Sequence, residues 1–503
     1  MLLILKKISI GGWILFFAIL STLLRAFLFF NYFTFHNDDL AYFVLADNLL
    51  TRGFYSSDGE TYHYHYPPIY PVFIAGLKLL NLSNEFIKFV NNVLLVNLIC
   101  ILILKILCVL KKRITLGYVA ITFLNPIFII GNVTLDLSVE ILYSILVLLG
   151  LLFIIHSYIN DSLIAWRISI VFICLAFLTR EEGMFFLFWH VLMMLTKKWK
   201  TKELKNYLMS FCLLTVPTVL LWSVYVSTQT GQFAISGKLL PKEGFSSRWG
   251  DLDIFQGIAD SLITLLFSPL FTSPIITLMF LSLLVGYTYL VYQQKSGRIV
   301  TQGPLFPVYI FVTPMLFLII LFAVTNPLAR AMYILNCLIL ILLFYLHQIT
   351  RENLLKEFYK LESLVFSIIP LFMSITLLMV FASNRLDTSA SDYVKATRQI
   401  LYYEKLSTKE SIKIYSRAVS VSLIDSRIKV CNLDVSCNKP HYFILSDSKH
   451  VSLLQMSFSE WNSISKREQK YNNCNLIDTW NSKHSVTMLY RCPMALVSSP
   501  KNQ

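Results

Sequence analysis

The stretch GGWILFFAILSTLLRAFLFFNYFTFHNDDLAY, from Gly11 to Tyr42, joins an apolar segment of membrane length to two adjacent carboxylates, Asp38 and Asp39. An apolar segment of about 20 residues can cross a bilayer as a helix. Carboxylates just beyond its outer end are costly to hold near lipid, and neutral polar residues would cost less. The stretch therefore predicts a membrane protein with chemistry at the outer surface of the bilayer.

The composition of the whole chain extends this prediction. Of the 503 residues, 56% are hydrophobic and only 14% are charged, which is too little charge for a soluble protein of this length. Apolar runs that can span a bilayer recur along the chain and predict about 11 transmembrane helices. These runs are 11–33, 84–110, 114–133, 138–158, 163–179, 183–196, 207–227, 262–293, 305–324, 331–346 and 361–382.

The basic residues predict the orientation of these spans. They cluster on one side of the membrane, and cytoplasmic loops are the ones enriched in lysine and arginine. The clusters are Lys6 and Lys7, Lys111 to Arg113, Lys197 to Lys205, Lys295 with Arg298, and Arg351 to Lys360. Because topology explains most of the formal charge of +14, we do not read that charge as nucleic-acid binding. The N-terminal segment has no small-x-small cleavage pattern and is predicted to be an uncleaved first span.

With the N-terminus inside and an odd number of spans, the C-terminal part lies outside. The chain then divides into a transmembrane module, 1–383, and an extracytoplasmic domain, 384–503, for which we predict a small α/β fold. A helical segment at 387–405 and three strand-like runs support this fold. The strand-like runs are Ile412–Ala418, Tyr442–Leu445 and Ser485–Tyr490.

The nine cysteines fall into two groups. Five lie in predicted spans and are interpreted as small apolar packing residues. They are Cys100, Cys108, Cys174, Cys212 and Cys337. The even set in the C-terminal domain, Cys431, Cys437, Cys474 and Cys492, predicts two disulfides with three possible pairings, since an outer compartment is oxidising. The alternative is four free thiols.

The first outer loop, 34–83, has the pattern of surface helices rather than of disorder. Apolar residues at helical spacing predict an amphipathic helix on the membrane surface that ends at Gly53. They are Leu40, Tyr42, Phe43, Leu45, Ala46, Leu49 and Leu50. A second surface helix is predicted to end at Leu80. A second outer loop spans 228–261.

The two aspartates have two possible roles. A carboxylate at the membrane surface can take a proton from an acceptor hydroxyl or amine while that group attacks a sugar carbon. The donor would then be a sugar on a lipid phosphate, because its apolar tail can be presented only from within the bilayer. Alternatively, Asp38 and Asp39 cap the following helix, since aspartate is favoured at a helix N-terminus. Local chemistry alone leaves both roles open.

Arginines at the outer ends of other spans favour the catalytic role. Arg180 ends one span, Arg330 precedes another, and Arg25 lies inside the first span, below Asp38. A departing phosphate needs cations to take up its charge, and the arginine fork suits it. Each arginine alone is also typical of an interfacial anchor. Their convergence on one face of the membrane is what favours a site.

His63 and His65 are two residues apart, so both would lie on one side of an extended segment. Two histidines without further nearby ligands make an incomplete metal site, and tyrosine and histidine are common in interfacial belts. We therefore expect no cofactor, with a metal bound by this pair as the alternative.

Three motifs carry a resemblance to a known class of enzyme. They are Asp38-Asp39-Leu40-Ala41-Tyr42 with Ala46 and Gly53, Tyr66-Pro67-Pro68-Ile69-Tyr70-Pro71, and Leu178-Thr179-Arg180-Glu181-Glu182-Gly183. With the topology of the membrane module, these motifs resemble the polytopic GT-C-class glycosyltransferases, of the protein O-mannosyltransferase and aminoarabinose-transferase type. Asp39 stands where that class more often has glutamate, and Glu181 stands where many members have proline.

The resemblance implies a GT-C-like all-α polytopic membrane fold and an inverting transfer from a polyprenyl-phosphate sugar to an acceptor outside the cytoplasm, without a bound metal. It implies that Asp38 is the base, with Asp39 beside it, and that Arg180 and Arg330 contact the donor phosphate. Arg25 is added to these contacts from its place in the first span. Substrate-binding residues are predicted at His36, Tyr42, Tyr66, Tyr70, Glu181, Glu182 and Asp136.

We expect a bacterial inner membrane with the site facing the periplasm, although a eukaryotic reticulum membrane fits the topology equally well. The acceptor would be a glycolipid, a polysaccharide or a protein. A transporter or flippase of lipid-linked sugars is the main alternative. It predicts charged residues near the bilayer midplane and internal symmetry, neither of which is clear in the sequence. A structural membrane subunit is a third possibility.

Overall fold

The computed structural model describes the helical part of the chain as far as Asn353, with gaps, and five strands of the C-terminal domain. The described residues are 9–32, 37–53, 55–56, 63, 66–125, 127–131, 138–196, 201–231 and 333–353, and the strand residues 412–416, 428–431, 442–448, 475–481 and 485–491. The predicted spans 262–293, 305–324 and 361–382, the second outer loop beyond Gly231 and the predicted helix 387–405 lie outside these residues.

The described helices follow the apolar runs of the sequence. They are α1 (Ile10–Tyr32), α2 (Asn37–Arg52), α3 (Ile69–Lys78), α4 (Asn84–Phe89), α5 (Leu95–Val109), α6 (Leu116–Phe123), α7 (Ser138–Asn160), α8 (Leu163–Phe177), α9 (Met184–Thr196), α10 (Thr201–Thr230) and α11 (Tyr333–Asn353). Two π-helical turns, Val90–Leu94 and Ile127–Gly131, and a 3-10 turn, Glu181–Gly183, lie between them.

Four described helical segments are long and apolar enough to cross a bilayer: Ile10–Phe30, Asn84–Val109, Val139–Asn160 and Glu203–Thr230. The second of these joins α4, the first π-helical turn and α5 without a break. Each matches a span predicted from the sequence, so the chain is an integral membrane protein. The predicted total of about 11 spans extends beyond the described residues.

The predicted span 114–133 has a different structure. It consists of α6, which ends at Phe123, and the π-helical turn that begins at Ile127. The Asn125 side chain accepts a hydrogen bond from the Ile127 amide at 3.0 Å, at the start of the π-helical turn. The intervening Pro126 has no backbone N–H to continue a helical ladder.

Helix α7 lies at the centre of the bundle and packs along α5 and α8. Its approach to α8 is close because Gly150 has no side chain, and a Cβ placed there would lie 2.4 Å from the Ile173 Cδ1 atom. Helix α11 is buried from Tyr333 to Gln348 and packs against α5 and α7. These helices form the core of the described bundle.

The cysteine prediction for the spans is partly wrong. Cys100, Cys174 and Cys337 are buried, as expected of packing residues, but Cys108 and Cys212 are exposed on the surfaces of α5 and α10. Cysteine is small and apolar enough to face lipid as well as a core, and sequence position alone does not separate the two. The predicted disulfides of the C-terminal domain lie outside the described side chains.

The two predicted surface helices are present as α2 and α3. Helix α2 ends at Arg52, and Gly53 follows with φ +64°, a left-handed conformation that favours glycine at a helix end. The two helices pack through buried Phe43, Ala46 and Ile74. Lys78 Nζ and Asp47 Oδ1, 2.5 Å apart, join their far ends.

The described strands of the C-terminal domain form one sheet of order β2-β1-β3-β5-β4. They are β1 (Ile412–Ser416), β2 (Ile428–Cys431), β3 (Tyr442–Ser448), β4 (Asn475–Asn481) and β5 (Ser485–Arg491). The pairs of β1 with β2 and β3 are parallel, and the other two pairs are antiparallel. The three strand-like runs read from the sequence correspond to β1, β3 and β5, and the α/β fold of the whole domain stays a prediction.

Candidate functional site

Asp39 lies in the first turn of α2 and forms an ion pair with Lys88 of α4, from its Oδ2 to the lysine Nζ. The side chains are 2% and 5% exposed, so the pair is almost fully removed from solvent. Ser83 fixes the start of α4, since its hydroxyl accepts a hydrogen bond from the Phe86 amide at 3.2 Å. A buried charge is costly unless it is paired, and here each charge stabilises the other. The pair therefore fixes the start of α2 against α4.

The π-helical turn Val90–Leu94 follows Lys88 within two residues and opens the helix locally. It carries two buried asparagines, and Asn91 Nδ2 donates to Asn92 Oδ1 at 2.8 Å. Single π-helical turns inside α-helices are frequent at functional sites. Buried polar side chains therefore continue from the Asp39–Lys88 pair to Asn91 and Asn92 of this turn.

Arg25 is fully buried where α1 crosses this turn. Its Nε donates to the Val93 carbonyl at 3.2 Å, and its Nη2 donates to Asn97 Oδ1 at 2.5 Å. Its Nη1 is buried and makes no hydrogen bond. Arg25 thus binds the π-helical turn and α5, and its contact with a donor phosphate stays a prediction.

Arg180 follows α8 and is held by two carboxylates. Its Nε and Nη2 donate to Glu182 Oε2 and Oε1 at 3.1 and 2.8 Å, and its Nη1 pairs with Glu140 Oε1 in the first turn of α7. Burial acts to lower the pKa of the guanidinium, but the charges of Glu182 and Glu140 outweigh it and hold that pKa well above its ordinary value. Arg180 is therefore a fixed cation at every accessible pH.

The end of α8 is joined to the start of α3 through the backbone. The Ile69 amide donates to the Leu178 carbonyl at 3.0 Å, which places the Pro-Pro motif beside the Thr-Arg motif. Two of the three motifs singled out in the sequence are thus in direct contact. Gly183 closes the 3-10 turn so tightly that a Cβ there would lie 2.4 Å from the Phe177 amide nitrogen.

Tyr42 connects the two charged clusters. It lies three residues after Asp39, on the same face of α2, and it interacts electrostatically with Arg180. Its ring packs against Tyr66 and Tyr70, with centroid distances of 4.8 and 4.9 Å. The structure therefore brings together Asp39, Tyr42, Tyr66, Tyr70 and Arg180 at one end of the bundle.

The loop between α2 and α3 is tied to this cluster by hydrogen bonds. The Tyr55 hydroxyl donates to the Tyr66 carbonyl at 2.8 Å, and the Tyr225 hydroxyl of α10 donates to the His63 carbonyl at 2.7 Å. The His63 Nε2 atom accepts from the Tyr66 amide at 3.2 Å, and the two rings are stacked. In this part of the chain His63 has a structural role in the loop.

No group of three histidine, cysteine or carboxylate side chains among the described residues is close enough to share a metal ion. His65, the second member of the histidine pair, lies outside them. Also outside are His36, Asp136, Arg330 and the side chain of Asp38. The backbone of Asp38 belongs to α2, directly before Asp39, and Glu181 starts the 3-10 turn beside Glu182.

Sequence analysis missed Lys88 as a member of the site and did not assign Glu140 to it. The sequence signal for Lys88 is its position: it is the one cation in the first turns of a mainly apolar span. Charged residues inside spans are rare and usually have a partner. The partner itself lies 49 residues away, and no local pattern identifies it.

Comparison with known proteins supports the fold. No protein-family profile and no curated protein sequence matches this chain. Among solved structures, it is similar to ArnT from Cupriavidus metallidurans in the apo state, with a TM-score of 0.51, 12% sequence identity, and coverage of 95% of this chain and 98% of ArnT.

A second similarity is to the archaeal oligosaccharyltransferase AglB from Archaeoglobus fulgidus, in complex with an inhibitory peptide and a dolichol-phosphate. It has a TM-score of 0.45 and 13% identity, and it covers 82% of this chain and 64% of AglB. Of these two similarities, the one to ArnT has the higher TM-score, and at 12% sequence identity it bears on the fold alone. The sequence motifs predicted a fold of the aminoarabinose-transferase type, and the similarity to ArnT supports an ArnT-like fold for the chain.

Proposed function

We propose that this chain is an integral-membrane inverting glycosyltransferase that moves a sugar from a polyprenyl-phosphate donor to an extracytoplasmic acceptor. The observation that carries this proposal is the buried Asp39–Lys88 pair at the start of α2. Such a pair fixes the start of α2, the helix to which Asp38 belongs, at the end of a membrane bundle. The ArnT-like fold supports the same class of reaction.

The reaction is a single displacement. Asp38 takes the proton of the acceptor hydroxyl or amine as that group attacks the anomeric carbon of the sugar. The new bond to the sugar forms as the bond to the phosphate oxygen breaks, and the lipid phosphate leaves with the electron pair. Asp39 is paired with Lys88, and its role is to fix the helix that presents Asp38.

Arg180 and Arg330 are the cations assigned to the departing phosphate. Three of the five N–H groups of Arg180 are used by Glu182 and Glu140. The remaining two are the ones we assign to phosphate oxygens. Because Glu182 binds the guanidinium in a bidentate manner, the side chain is oriented before the donor arrives, which lowers the entropic cost of the contact.

Tyrosines of the surface helices are assigned to the substrates. Tyr42, Tyr66 and Tyr70 form one aromatic cluster beside Arg180. Rings with hydroxyl groups suit a sugar held between lipid and water, since they combine apolar faces with polar edges. His36, Asp136, Glu181 and Glu182 complete the proposed substrate-binding set. The loop 228–261 is assigned to the donor groove and the C-terminal domain to acceptor recognition, in a bacterial inner membrane with a periplasmic site.

The test is turnover of a radiolabelled polyprenyl-phosphate sugar by the purified full-length protein, with a membrane extract from cells lacking the chain as acceptor. We expect acceptor-dependent loss of donor, and a loss of turnover by about 10²–10⁴-fold in Asp38→Asn. Asp47→Asn is the matched control, because Asp47 lies on the same helix with its side chain 51% exposed. It should keep the wild-type rate.

Two outcomes would overturn the proposal. Full turnover in Asp38→Asn would remove the assigned base. Movement of intact labelled lipid across a vesicle membrane, without loss of donor, would indicate the alternative function, a transporter or flippase of lipid-linked sugars.

A further inference from the structure

A cavity of about 700 Å³ opens at the start of α1, beside the loop that joins α5 to α6. It is lined by Ile10, Cys108, Arg113, Ile114, Thr115 and Leu116. Apart from Arg113 and Thr115, these residues present apolar or weakly polar surfaces. The cavity therefore has one cationic side chain, that of Arg113, in a mainly apolar lining.

The cavity lies across the membrane from the acids. Lys88 and Cys108 belong to the same continuous helical segment, Asn84–Val109. The 20 residues between their positions rise by about 30 Å at 1.5 Å per residue, which is the thickness of the hydrocarbon core. This second site is thus separate from the proposed glycosyl-transfer site and lies at the face that the basic clusters predict to be cytoplasmic.

The backbone of Arg113 is fixed by α11. Its amide donates to Gln348 Oε1 at 2.9 Å, and its carbonyl accepts from Gln348 Nε2. Gln348 belongs to a helix that is buried in the bundle, so the loop is anchored to the core rather than free in water. Arg113, whose side chain is exposed, consequently has a fixed backbone position at the cavity wall.

Two further cations lie near this wall. Lys105 is exposed one turn before Cys108, on the same face of α5 as exposed Ile101, and Lys111 is exposed at the start of the loop. Within the described part of the chain, the structure gives Lys105, Lys111 and Arg113 no acidic partner. A lysine facing lipid can extend its apolar stem along the helix and bring its ammonium group to the surface.

We propose that this cavity binds an anionic phospholipid. Its headgroup phosphate lies between Arg113 and Lys105, and one acyl chain runs along the exposed face of α5. The charges are complementary, since a guanidinium makes charge-assisted hydrogen bonds to phosphate. The apolar lining and the lipid-facing position argue for a lipid rather than a soluble anion. The predicted cytoplasmic leaflet is also where anionic lipids attract basic residues.

Native mass spectrometry of the purified full-length protein tests this site with phosphatidylglycerol, and with phosphatidylcholine as the zwitterionic comparison. We expect preferential retention of phosphatidylglycerol, weakened by about tenfold in Arg113→Gln and in Lys105→Gln. Lys205→Gln is the matched control, because Lys205 is an exposed lysine near the start of α10 that does not line the cavity. It should bind phosphatidylglycerol as the wild type does.

The exposed cysteines provide a second, independent measurement. Cys108 lines the cavity, whereas Cys212 is exposed on α10 and does not. We expect phosphatidylglycerol to slow alkylation of Cys108 severalfold and to leave Cys212 unchanged, as measured peptide by peptide. In Arg113→Gln the protection of Cys108 should be lost, even if the variant binds lipid elsewhere.

Three results would overturn the proposal. One is equal retention of the two lipids, and another is equal retention of phosphatidylglycerol by all four proteins. The third is displacement of the lipid by free glycerol phosphate at equal concentration, which would indicate a soluble anion as the occupant. None of these measurements uses sugar transfer, so the outcome is independent of the proposed glycosyltransferase activity.

Discussion

Asp39 and Lys88 form a salt bridge that is shielded from solvent on both sides, although the two residues lie 49 positions apart. The salt bridge joins the first surface helix to the start of a membrane span. Buried ion pairs contribute little net stability compared with apolar packing, but removing one partner leaves an uncompensated charge. The pair therefore determines the position of α2 more than it contributes to the stability of the bundle.

Removing only the Lys88 charge should lower the stability of the protein strongly. Lys88→Met leaves the Asp39 carboxylate buried without its partner, and we expect the free energy of unfolding to fall by about 3–5 kcal/mol. The double variant Asp39→Asn/Lys88→Met removes both charges and should recover part of that loss. Thermal unfolding of the purified proteins in one detergent gives the comparison.

Lys78→Met is the control for this experiment. Lys78 pairs with Asp47, which is half exposed, and a pair of this kind is typically worth less than about 1 kcal/mol. A double variant no more stable than Lys88→Met alone would contradict the prediction, since the cost would then come from packing of the lysine stem.

Glu182 should tune the affinity for the lipid donor. In the proposed mechanism its carboxylate offsets the charge that Arg180 offers to the phosphate. Glu182→Gln keeps a hydrogen-bonding side chain but removes the negative charge, so we expect KM for the donor to fall by about threefold or more. Initial rates over a range of donor concentrations measure this. An unchanged KM would indicate that Arg180 acts only within the fold, and an increase would mean that orientation of Arg180 by Glu182 outweighs the charge effect. Asp47→Asn should leave KM unchanged.

Gly183 should not tolerate any side chain. A Cβ at this position would lie 2.4 and 2.6 Å from the Phe177 amide nitrogen and Cα, and backbone atoms cannot rotate away as a side chain can. Gly183→Ala should therefore shift the 3-10 turn, cost about 1–3 kcal/mol of stability, and lower turnover by displacing Glu182 from Arg180. Thermal unfolding and donor turnover are the two measurements.

Gly76→Ala provides the contrast on the same side of the membrane. No atom lies within 4 Å of a Cβ built on Gly76, which is exposed within α3. Alanine is favoured over glycine inside a helix, so stability should be unchanged or slightly increased. If Gly183→Ala behaved in the same way as Gly76→Ala, the tight turn would not be needed to orient Glu182.

Local patterns in the sequence identified most of the described helices. The helical spacing from Leu40 to Leu50 and the break at Gly53 identify α2, and the long apolar runs identify α1, α7 and α10. These features depend on residues a few positions apart, which is the range over which periodicity is informative. The π-helical turn at Val90–Leu94 has no comparable pattern and was not predicted.

The contacts of the site were harder to predict from the sequence because they join residues that are far apart along the chain. Arg180 stands out as a charge at the end of a span, but its partner Glu140 lies 40 positions away, and Asp39 and Lys88 are 49 positions apart. Such pairs are decided by how helices pack, and a single sequence carries no record of that packing. Arg25 also stood out as an intramembrane charge, and its bonds to Val93 and Asn97 follow from the crossing of α1 and α5.

The hydrogen bond from Tyr225 to the His63 carbonyl has a consequence for biogenesis. The two residues are separated by 162 positions, so the first outer segment emerges from the ribosome long before the residue that fastens it. Chains are made from the N-terminus, and early segments wait for later ones. A truncated product that stops before Tyr225 would thus contain both aspartates yet lack the hydrogen bond that fastens the loop after α2. Under the proposed function, sugar transfer would therefore not begin before translation is well advanced.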